Sequence, residues 1–196
     1  MDFSRRSFFQ DSTKRILNSL FTAIAESEPT HGEESPAFLR PPGALPEKEF
    51  LETCTKCDAC ITVCPKWAVR RAGHELGDMN EGTPVILPEL NPCWLCKDLP
   101  CIAACEPGAL QPLEQASMAR MGLAEISASQ CFSASGSICE VCDERCPVRP
   151  KAVRFTRGQL PEIDADLCTG CGICAHLCPA DAITITPCSE SASTAG

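Results

Sequence analysis

Hydrophobic residues in this chain occur mostly in short runs, not in long periodic segments. Three runs have the length and aliphatic content of short strands: Val85–Leu87, Leu123–Ile126 and Leu160–Ile163. A second pattern, alanine followed by an aliphatic residue, recurs four times: Ala68-Val69, Ala109-Leu110, Ala152-Val153 and Ala182-Ile183. The repetition predicts an α+β fold of small half-units, with short strands, short helices and much loop.

The N-terminal region has a different pattern. Its apolar residues fall on one helical face, namely Ile16, Leu17, Leu20, Phe21 and Ile24. They follow Ser4–Gln10, which is similar to a twin-arginine export signal. Either this is a signal cleaved near Ala23–Ala25, or it is a retained amphipathic helix that docks on a membrane surface or partner.

The apolar run of the N-terminal region is short and contains Asn18 and Ser19. We therefore favour retention, which predicts a cytoplasmic protein able to associate with the membrane periphery. Export would instead place the protein in the periplasm. No run in the chain is long and apolar enough to span a bilayer.

The remaining chain divides by composition into a linker, a domain and a tail. Glu26–Pro36 is polar and acidic, so residues 1–37 form an N-terminal segment with its linker. We expect one domain over residues 38–187 and a disordered tail over residues 188–196. After the extended stretch Leu39–Leu45, Pro46 is well suited to begin a short helix, Glu47–Thr53.

Cysteine is the residue that defines the chemistry, because the 196-residue chain contains 17 of them. Sixteen form four quartets: Cys54, Cys57, Cys60 and Cys64; Cys93, Cys96, Cys101 and Cys105; Cys131, Cys139, Cys142 and Cys146; Cys168, Cys171, Cys174 and Cys178. The first and fourth read C-x2-C-x2-C-x3-C-P, the ligand spacing of bacterial ferredoxins. We expect Gly170 and Gly172 to let backbone N–H groups approach the cluster sulfurs.

The four quartets predict four [4Fe–4S] clusters, with all sixteen cysteines as iron ligands. Zinc is the alternative, but zinc sites usually use two separated C-x2-C pairs. Such a fold should collapse without metal, because its ligands have no other reason to converge. Cys188 lies outside the quartets and is expected to be a free thiol.

In two-cluster ferredoxins each quartet gives its last cysteine to the other cluster, so the quartets must pair. The pairing is either sequential, first with second and third with fourth, or nested, first with fourth and second with third. Regular spacing in the outer quartets and widened spacing in the inner two favour nesting. Nesting would bring Cys178 to the cluster that begins at Cys54.

The net charge and the absence of other motifs restrict which classes of function are possible. The formal net charge is −9, and four clusters would add about −8. This excludes nucleic acid and favours a partner with a positive patch. No phosphate or dinucleotide loop is present, and His31, His74 and His176 stand alone. We therefore expect an electron carrier without a small-molecule substrate, not an enzyme.

Trp67 and Trp94 each follow or lie within a cysteine quartet. We expect their rings to pack over the clusters and not to form an electron relay of their own. Such packing would limit the access of water to the cluster sulfurs.

Several stretches between the cysteines resemble the ferredoxin-type NapG/MauM family, to which the NapF ferredoxins are related. The resemblance rests on four stretches: Leu39–Ala44, Cys93–Cys101, Ala119–Ala124 and Cys139–Cys142. The middle gap of the second quartet fits NapG better than NapF, whose counterpart is regular. The resemblance covers about residues 38–187.

The resemblance implies a polyferredoxin that relays single electrons to or from a respiratory redox partner. For NapG-like proteins the implied partners are a membrane quinol dehydrogenase and a respiratory reductase of the molybdoenzyme type. The alternative implied by NapF is a cytoplasmic factor for the assembly or maturation of a metalloenzyme.

Overall fold

The computed structural model describes residues 38–188. Predictions about the N-terminal segment, including His31, and about the tail beyond Cys188 lie outside these residues. The helices are α1 (Glu47–Thr53), α2 (Ala59–Thr62), α3 (Pro100–Ala103), α4 (Val141–Arg145) and α5 (Ile173–His176). The strands are β1 (Val69–Arg71), β2 (Pro84–Ile86), β3 (Gly122–Ile126), β4 (Val153–Arg154), β5 (Glu162–Ile163) and β6 (Ile183–Pro187).

The helices are short, and their beginnings follow from local sequence. Pro46 precedes α1 with φ −49°, close to the helical value, so the predicted helix is confirmed with its bounds. The four-residue helices α2, α3 and α5 each follow a residue with a left-handed backbone: Asp58, Leu99 and Gly172. That conformation turns the chain sharply out of the cysteine loop and into the helix.

The strands form three separate antiparallel pairs. β1 pairs with β2, β3 with β6, and β4 with β5. The three predicted strands are present as β2, β3 and β5, although β5 is shorter than expected. The alanine–aliphatic pairs lead into β1, β4 and β6, whereas Leu110 makes only an isolated bridge with Ala44.

Two of these strand pairs are hairpins that connect quartets consecutive in sequence, and we call them the inner hairpins. The β1–β2 hairpin lies between the first and second quartets, with Val69 opposite Ile86. The β4–β5 hairpin lies between the third and fourth, with Val153 opposite Ile163. The first half of the domain contains the first and second quartets, and its two ends meet at the Ala44–Leu110 bridge. The second half contains the third and fourth quartets, and its two ends meet in the β3–β6 pair. Consecutive quartets are therefore folded back on one another.

The buried core contains the cysteines themselves. One cluster of buried side chains includes Leu39, Phe50 and Ile86 together with cysteines of the first, second and fourth quartets. A second cluster includes Val153 and Ile183 with cysteines of the third and fourth. Within residues 38–188, no helix is long and apolar enough to cross a membrane.

A buried arginine attaches the N-terminal stretch of the domain to the first half. Arg40 donates through Nε and Nη2 to the carboxylate of Glu47, at 2.9 and 2.5 Å. Its Nη2 also donates to Asn80 Oδ1 at 2.7 Å, and its Nη1 to Thr83 Oγ1 at 2.7 Å. The guanidinium thus joins α1 to the loop before β2.

The same guanidinium is enclosed by two aromatic rings. Its Cζ lies 4.8 Å from the ring centre of Phe38 and 4.5 Å from that of Phe50. Such cation–π contacts are strongest where water is excluded, and Arg40 is only 9% exposed.

Replacing Arg40 by methionine is expected to lower the free energy of unfolding by about 3 kcal/mol, because Glu47, Asn80 and Thr83 lose a buried partner. The measurement is the urea midpoint of the far-UV circular dichroism of the metal-loaded protein. Arg70→Ala, at an exposed position on β1, is the control and should leave that midpoint unchanged. Equal midpoints for the Arg40 variant and wild type would contradict the role assigned to Arg40.

Candidate metal centres

Three cysteines of the first quartet share a cavity with the last cysteine of the second. Cys54, Cys57, Cys60 and Cys105 all line this site. Burial, followed by the negative charge of Cys105, raises the pKa of Cys60 to about 12. The four thiols therefore face a common volume, which we call group A.

The last cysteine of the first quartet lies with the second quartet instead. The charge of Cys64 contributes, after burial, to raising the pKa of Cys96 and that of Cys101. Cys93 interacts with the same two thiols. Cys93, Cys96, Cys101 and Cys64 form group B. The first two quartets have thus exchanged their last cysteines.

The third and fourth quartets are related in the same way. The charge of Cys146 acts on Cys171, which also interacts with Cys168. Cys142 interacts with Cys139 and Cys131. Group D is Cys168, Cys171, Cys174 and Cys146. Group C is Cys131, Cys139 and Cys142, and we assign Cys178 to it by analogy with the first two quartets, because it is the one quartet cysteine left over. Helices α4 and α5, which carry Cys142 and Cys174, pack against each other.

The nested pairing predicted from the sequence is wrong. It requires Cys178 beside Cys54, but Cys105 takes that place. The physical reason is the pair of inner hairpins, which fold each quartet back onto its neighbour in sequence. The widened gaps are local loops. In the third quartet the extra residues form a turn in which Ser133 Oγ donates to Gln159 O at 2.7 Å.

A backbone hydrogen bond to sulfur recurs after three of the four quartets. The last cysteine accepts an N–H from the following alanine–aliphatic pair, at 3.3 Å in each case: Ala68 to Cys64, Leu110 to Cys105 and Ala182 to Cys178. In each of these quartets the third residue after that cysteine has a positive φ: Trp67, Gly108 and Asp181. The recurring pair thus positions an N–H group at the ligand sulfur.

Several cysteines of the groups are buried in apolar surroundings. Burial raises the pKa of Cys93 to about 12, and that of Cys101 and Cys142 to about 11. Burial likewise raises the pKa of Cys174. At neutral pH these thiols keep their protons in the metal-free chain. Iron must displace the protons, so lower pH opposes metal binding.

Two threonines occupy the same position in the first and fourth quartets. The hydroxyl of Thr55, after the backbone N–H of Ala59, lowers the pKa of Cys57. Thr169 is 1% exposed, and its Oγ1 is buried without a partner that meets hydrogen-bond geometry. Burial raises the pKa of Cys171, and the Thr169 hydroxyl acts in the opposite direction. The buried hydroxyl therefore faces the Cys171 sulfur.

The two halves meet at groups B and D. The backbone N–H of Cys93 donates to the carbonyl of Cys171 at 2.9 Å. The Nδ1 atom of His176 lies 3.1 Å from the Pro88 carbonyl, so this histidine joins α5 to the chain after β2. His74 is exposed at the end of a loop.

The glycines of the fourth quartet are required by packing as well as by backbone conformation. Gly170 and Gly172 have φ +66° and +84°. A Cβ on Gly170 would clash with the backbone of Gly122, and one on Gly172 would lie 2.6 Å from the Cβ of Pro88. The spacing of the quartet predicts only the approach of N–H groups to sulfur, and the close contact of Gly170 with β3 is a further reason for glycine here.

The expected packing of tryptophan is wrong for Trp67, which is 78% exposed. Its left-handed backbone, φ 50°, directs it out of the turn after the first quartet. Trp94 is 39% exposed and donates from Nε1 to Asn91 Oδ1 at 3.2 Å. Cys188 follows β6, where its N–H donates to Met121 O, and it is not among the four groups.

The donor sets fit [4Fe–4S] clusters in number and type. Each group contains four sulfurs, and four cysteine thiolates are the usual ligand set of such a cluster. No three His, Cys, Asp or Glu side chains in the described part of the chain lie close enough to hold a single metal ion. A cluster does not require that proximity, because each thiolate binds its own iron.

Comparison with known proteins identifies an iron–sulfur family in the sequence. The 4Fe-4S binding domain family matches residues 161–184, around the fourth quartet. The fold and its cysteine groups define a ferredoxin-type iron–sulfur protein of electron transport. The relatives below narrow that class further.

The methylamine utilization ferredoxin-type protein MauM of Methylorubrum extorquens is 37% identical over 190 residues, covering 89% of this chain and 84% of that protein. The ferredoxin-type protein NapG of Escherichia coli is 35% identical over 188 residues, covering 89% and 80%. NapF of the same organism is 30% identical over 148 residues, covering 74% and 83%. The chain belongs to the MauM/NapG family of ferredoxin-type proteins.

Proposed function

We propose that the chain holds four [4Fe–4S] clusters, one in each of groups A to D, and relays single electrons between redox partners. All sixteen quartet cysteines would be iron ligands, within one domain spanning residues 38–187 that is built of two ferredoxin modules. The observation that carries this proposal is the exchange of Cys64 and Cys105 between the first two quartets. That exchange is characteristic of two-cluster ferredoxins.

When bound, [4Fe–4S] clusters take up and release one electron each, over a range of potentials that the protein adjusts. The chain's own part is to exclude water and to direct donors at sulfur. Water is excluded by the burial of Cys60, Cys93 and Cys101. The donors at sulfur are the N–H groups of Ala68 and Leu110.

The neighbour relations support one continuous path through the groups in the order A, B, D, C. Cys60 of group A interacts with Cys101 of group B. Cys93 of group B is hydrogen-bonded to Cys171 of group D. Cys174 of group D interacts with Cys142 of group C. Electrons entering at any group could therefore reach the other three by short steps.

We further propose that the chain is retained in the cytoplasm, peripheral to the membrane, and serves a quinol dehydrogenase or a molybdoenzyme. The basis is the weak apolar run that follows Arg5-Arg6. Determination of the mature N-terminus tests the location. A mature chain that begins near Glu26 would contradict retention and favour export.

Repeated reduction distinguishes the relay from a maturation factor. A relay should pass through several cycles of reduction by dithionite and reoxidation by a dye without losing iron. A factor that supplies clusters to a metalloenzyme should instead lose iron to an apo-metalloenzyme during the same incubation. Iron retained on this chain throughout is the result we expect.

Substitution of Thr169 tests how the protein adjusts the reduction potential of the cluster in group D. Thr169→Val removes the buried hydroxyl beside Cys171 and keeps the side-chain shape. We expect the ratio of reduced to oxidised cluster in group D at a fixed potential to fall about tenfold, which is about 59 mV for one electron. The measurement is an anaerobic redox titration followed by electron paramagnetic resonance.

The control for this titration is Thr169→Ser, which keeps the hydroxyl and should keep the wild-type potential. Thr55→Val, at the equivalent position, should shift group A in the same direction. An unchanged potential in Thr169→Val, at full iron content, would show that the hydroxyl does not act on the site.

A further inference from the structure

A surface groove lies where the second quartet meets helices α4 and α5. It is open to solvent. We call it the Trp94 groove, after the side chain that the second quartet contributes to it. Its other walls include Leu177, which follows α5, and Cys146, which belongs to group D. The groove therefore reaches the surface of one candidate cluster site directly.

The side chains that line the groove carry more positive than negative charge, although the protein as a whole is strongly acidic. Arg145 and Arg149 line it, and Glu144 is the one carboxylate among its lining residues. Arg145 makes no ion pair within residues 38–188, and Arg149 donates to backbone carbonyls, those of Cys146 and Val148. These two guanidiniums are therefore not neutralised by internal acids.

Two other cations of the same half are paired with acids. Lys151 pairs with Asp143 at 2.6 Å, and Arg154 lies 3.7 Å from Asp164. The arginines of the groove thus differ from Lys151 and Arg154 in having positive charge available for a partner. The charged side chains that line the groove therefore carry a net positive charge, opposite in sign to the net charge of the chain.

Trp94 adds an aromatic contact to this charge. Its indole is fixed by the hydrogen bond to Asn91, and the Lys66 Nζ lies 5.7 Å from its ring centre. Lys66 extends the positive region along the face of the second quartet. Exposed tryptophan together with arginine is the composition that dominates binding energy at protein interfaces.

We propose that the Trp94 groove is the docking site for an acidic surface of the protein redox partner, with electrons crossing at Cys146. The inference rests on the proposed relay function. It specifies which face of this protein binds the partner and which charge the partner carries there. Net charge alone predicted a partner with a positive patch. Arg145 and Arg149 beside the cluster ligand Cys146, with Lys66 over the ring of Trp94, favour the opposite charge on the partner.

The test uses flavodoxin, a small acidic protein, as electron donor to the oxidised metal-loaded chain. Its anionic hydroquinone loses one electron and becomes the semiquinone, and the chain gains that electron. In stopped-flow measurements, Arg145→Glu should slow this transfer about tenfold at low salt, because two acidic surfaces then face each other. Raising the ionic strength should slow the wild type and reduce the difference.

Arg157→Glu is the matched control, because it changes the net charge equally but lies on the exposed turn between β4 and β5, away from the groove. It should transfer electrons at nearly the wild-type rate. Transfer from the reduced chain to basic cytochrome c should not be slowed by Arg145→Glu. Equal slowing by both variants with flavodoxin would overturn the groove as the docking site.

Iron content and reduction by dithionite are measured first for every variant. Failure of the wild-type chain to bind iron or to accept electrons from dithionite would overturn the proposed relay itself. Normal iron and normal reduction by dithionite, with no effect of Arg145→Glu on flavodoxin, would overturn only the docking proposal.

Discussion

Replacing Cys105 by alanine is expected to remove the cluster that begins at Cys54, although the two residues lie in different quartets. The reason is that Cys105 shares its cavity with Cys54, Cys57 and Cys60. The loss should be about four irons per chain, the content of one [4Fe–4S] cluster. Iron analysis of the anaerobically purified variant measures it.

A double-mutant comparison identifies which cluster has been lost. Two substitutions at one site should together remove no more iron than either alone, whereas substitutions at separate sites should add. We therefore expect Cys54→Ala with Cys105→Ala to be non-additive, and Cys54→Ala with Cys178→Ala to be additive. Cys188→Ala, outside the quartets, is the control. Additive loss with Cys105→Ala and non-additive loss with Cys178→Ala would instead support the nested pairing.

Removal of the metal is expected to unfold the domain, not to leave an empty fold. Its helices have four to seven residues, and each of its sheets has two strands. Elements of this size are marginal in water without tertiary packing. The packing they have includes buried cysteines, among them Cys60, Cys93 and Cys101. Metal binding therefore supplies folding free energy.

Hydrogen exchange measures this loss residue by residue. In the metal-loaded protein the amides of the β3–β6 pair, such as Ala124 and Ile185, should be protected. After chelation under oxidising conditions they should exchange like an unfolded chain. Reconstitution with iron and sulfide should return the protection. Protected amides in the metal-free chain would show that the apolar core is sufficient by itself.

Much of the fold could be predicted because its signals are local. The quartet spacing, the strand runs and the helix after Pro46 each depend on a few neighbouring residues. The alanine–aliphatic repeat was visible in the sequence, and the structure gives its reason, the N–H donated to the last cysteine of the quartet. Thr55 and Thr169 also occupy equivalent positions, a signal that could have been found in advance.

The pairing of the quartets could not be predicted in this way, because it depends on long-range packing. Regularity of spacing relates the outer quartets in sequence, yet the two inner hairpins decide which quartets meet. Arg40 illustrates the same limit, since its partners Asn80 and Thr83 lie some forty residues away. The Trp94 groove likewise combines a residue of the second quartet with α4, and nothing local in sequence indicates that contact.

Iron and acid-labile sulfide in the anaerobically purified chain test the central claim most directly. We expect roughly sixteen irons and a matching amount of sulfide per chain, with four clusters reducible by dithionite. Zinc with little iron and no sulfide would contradict it.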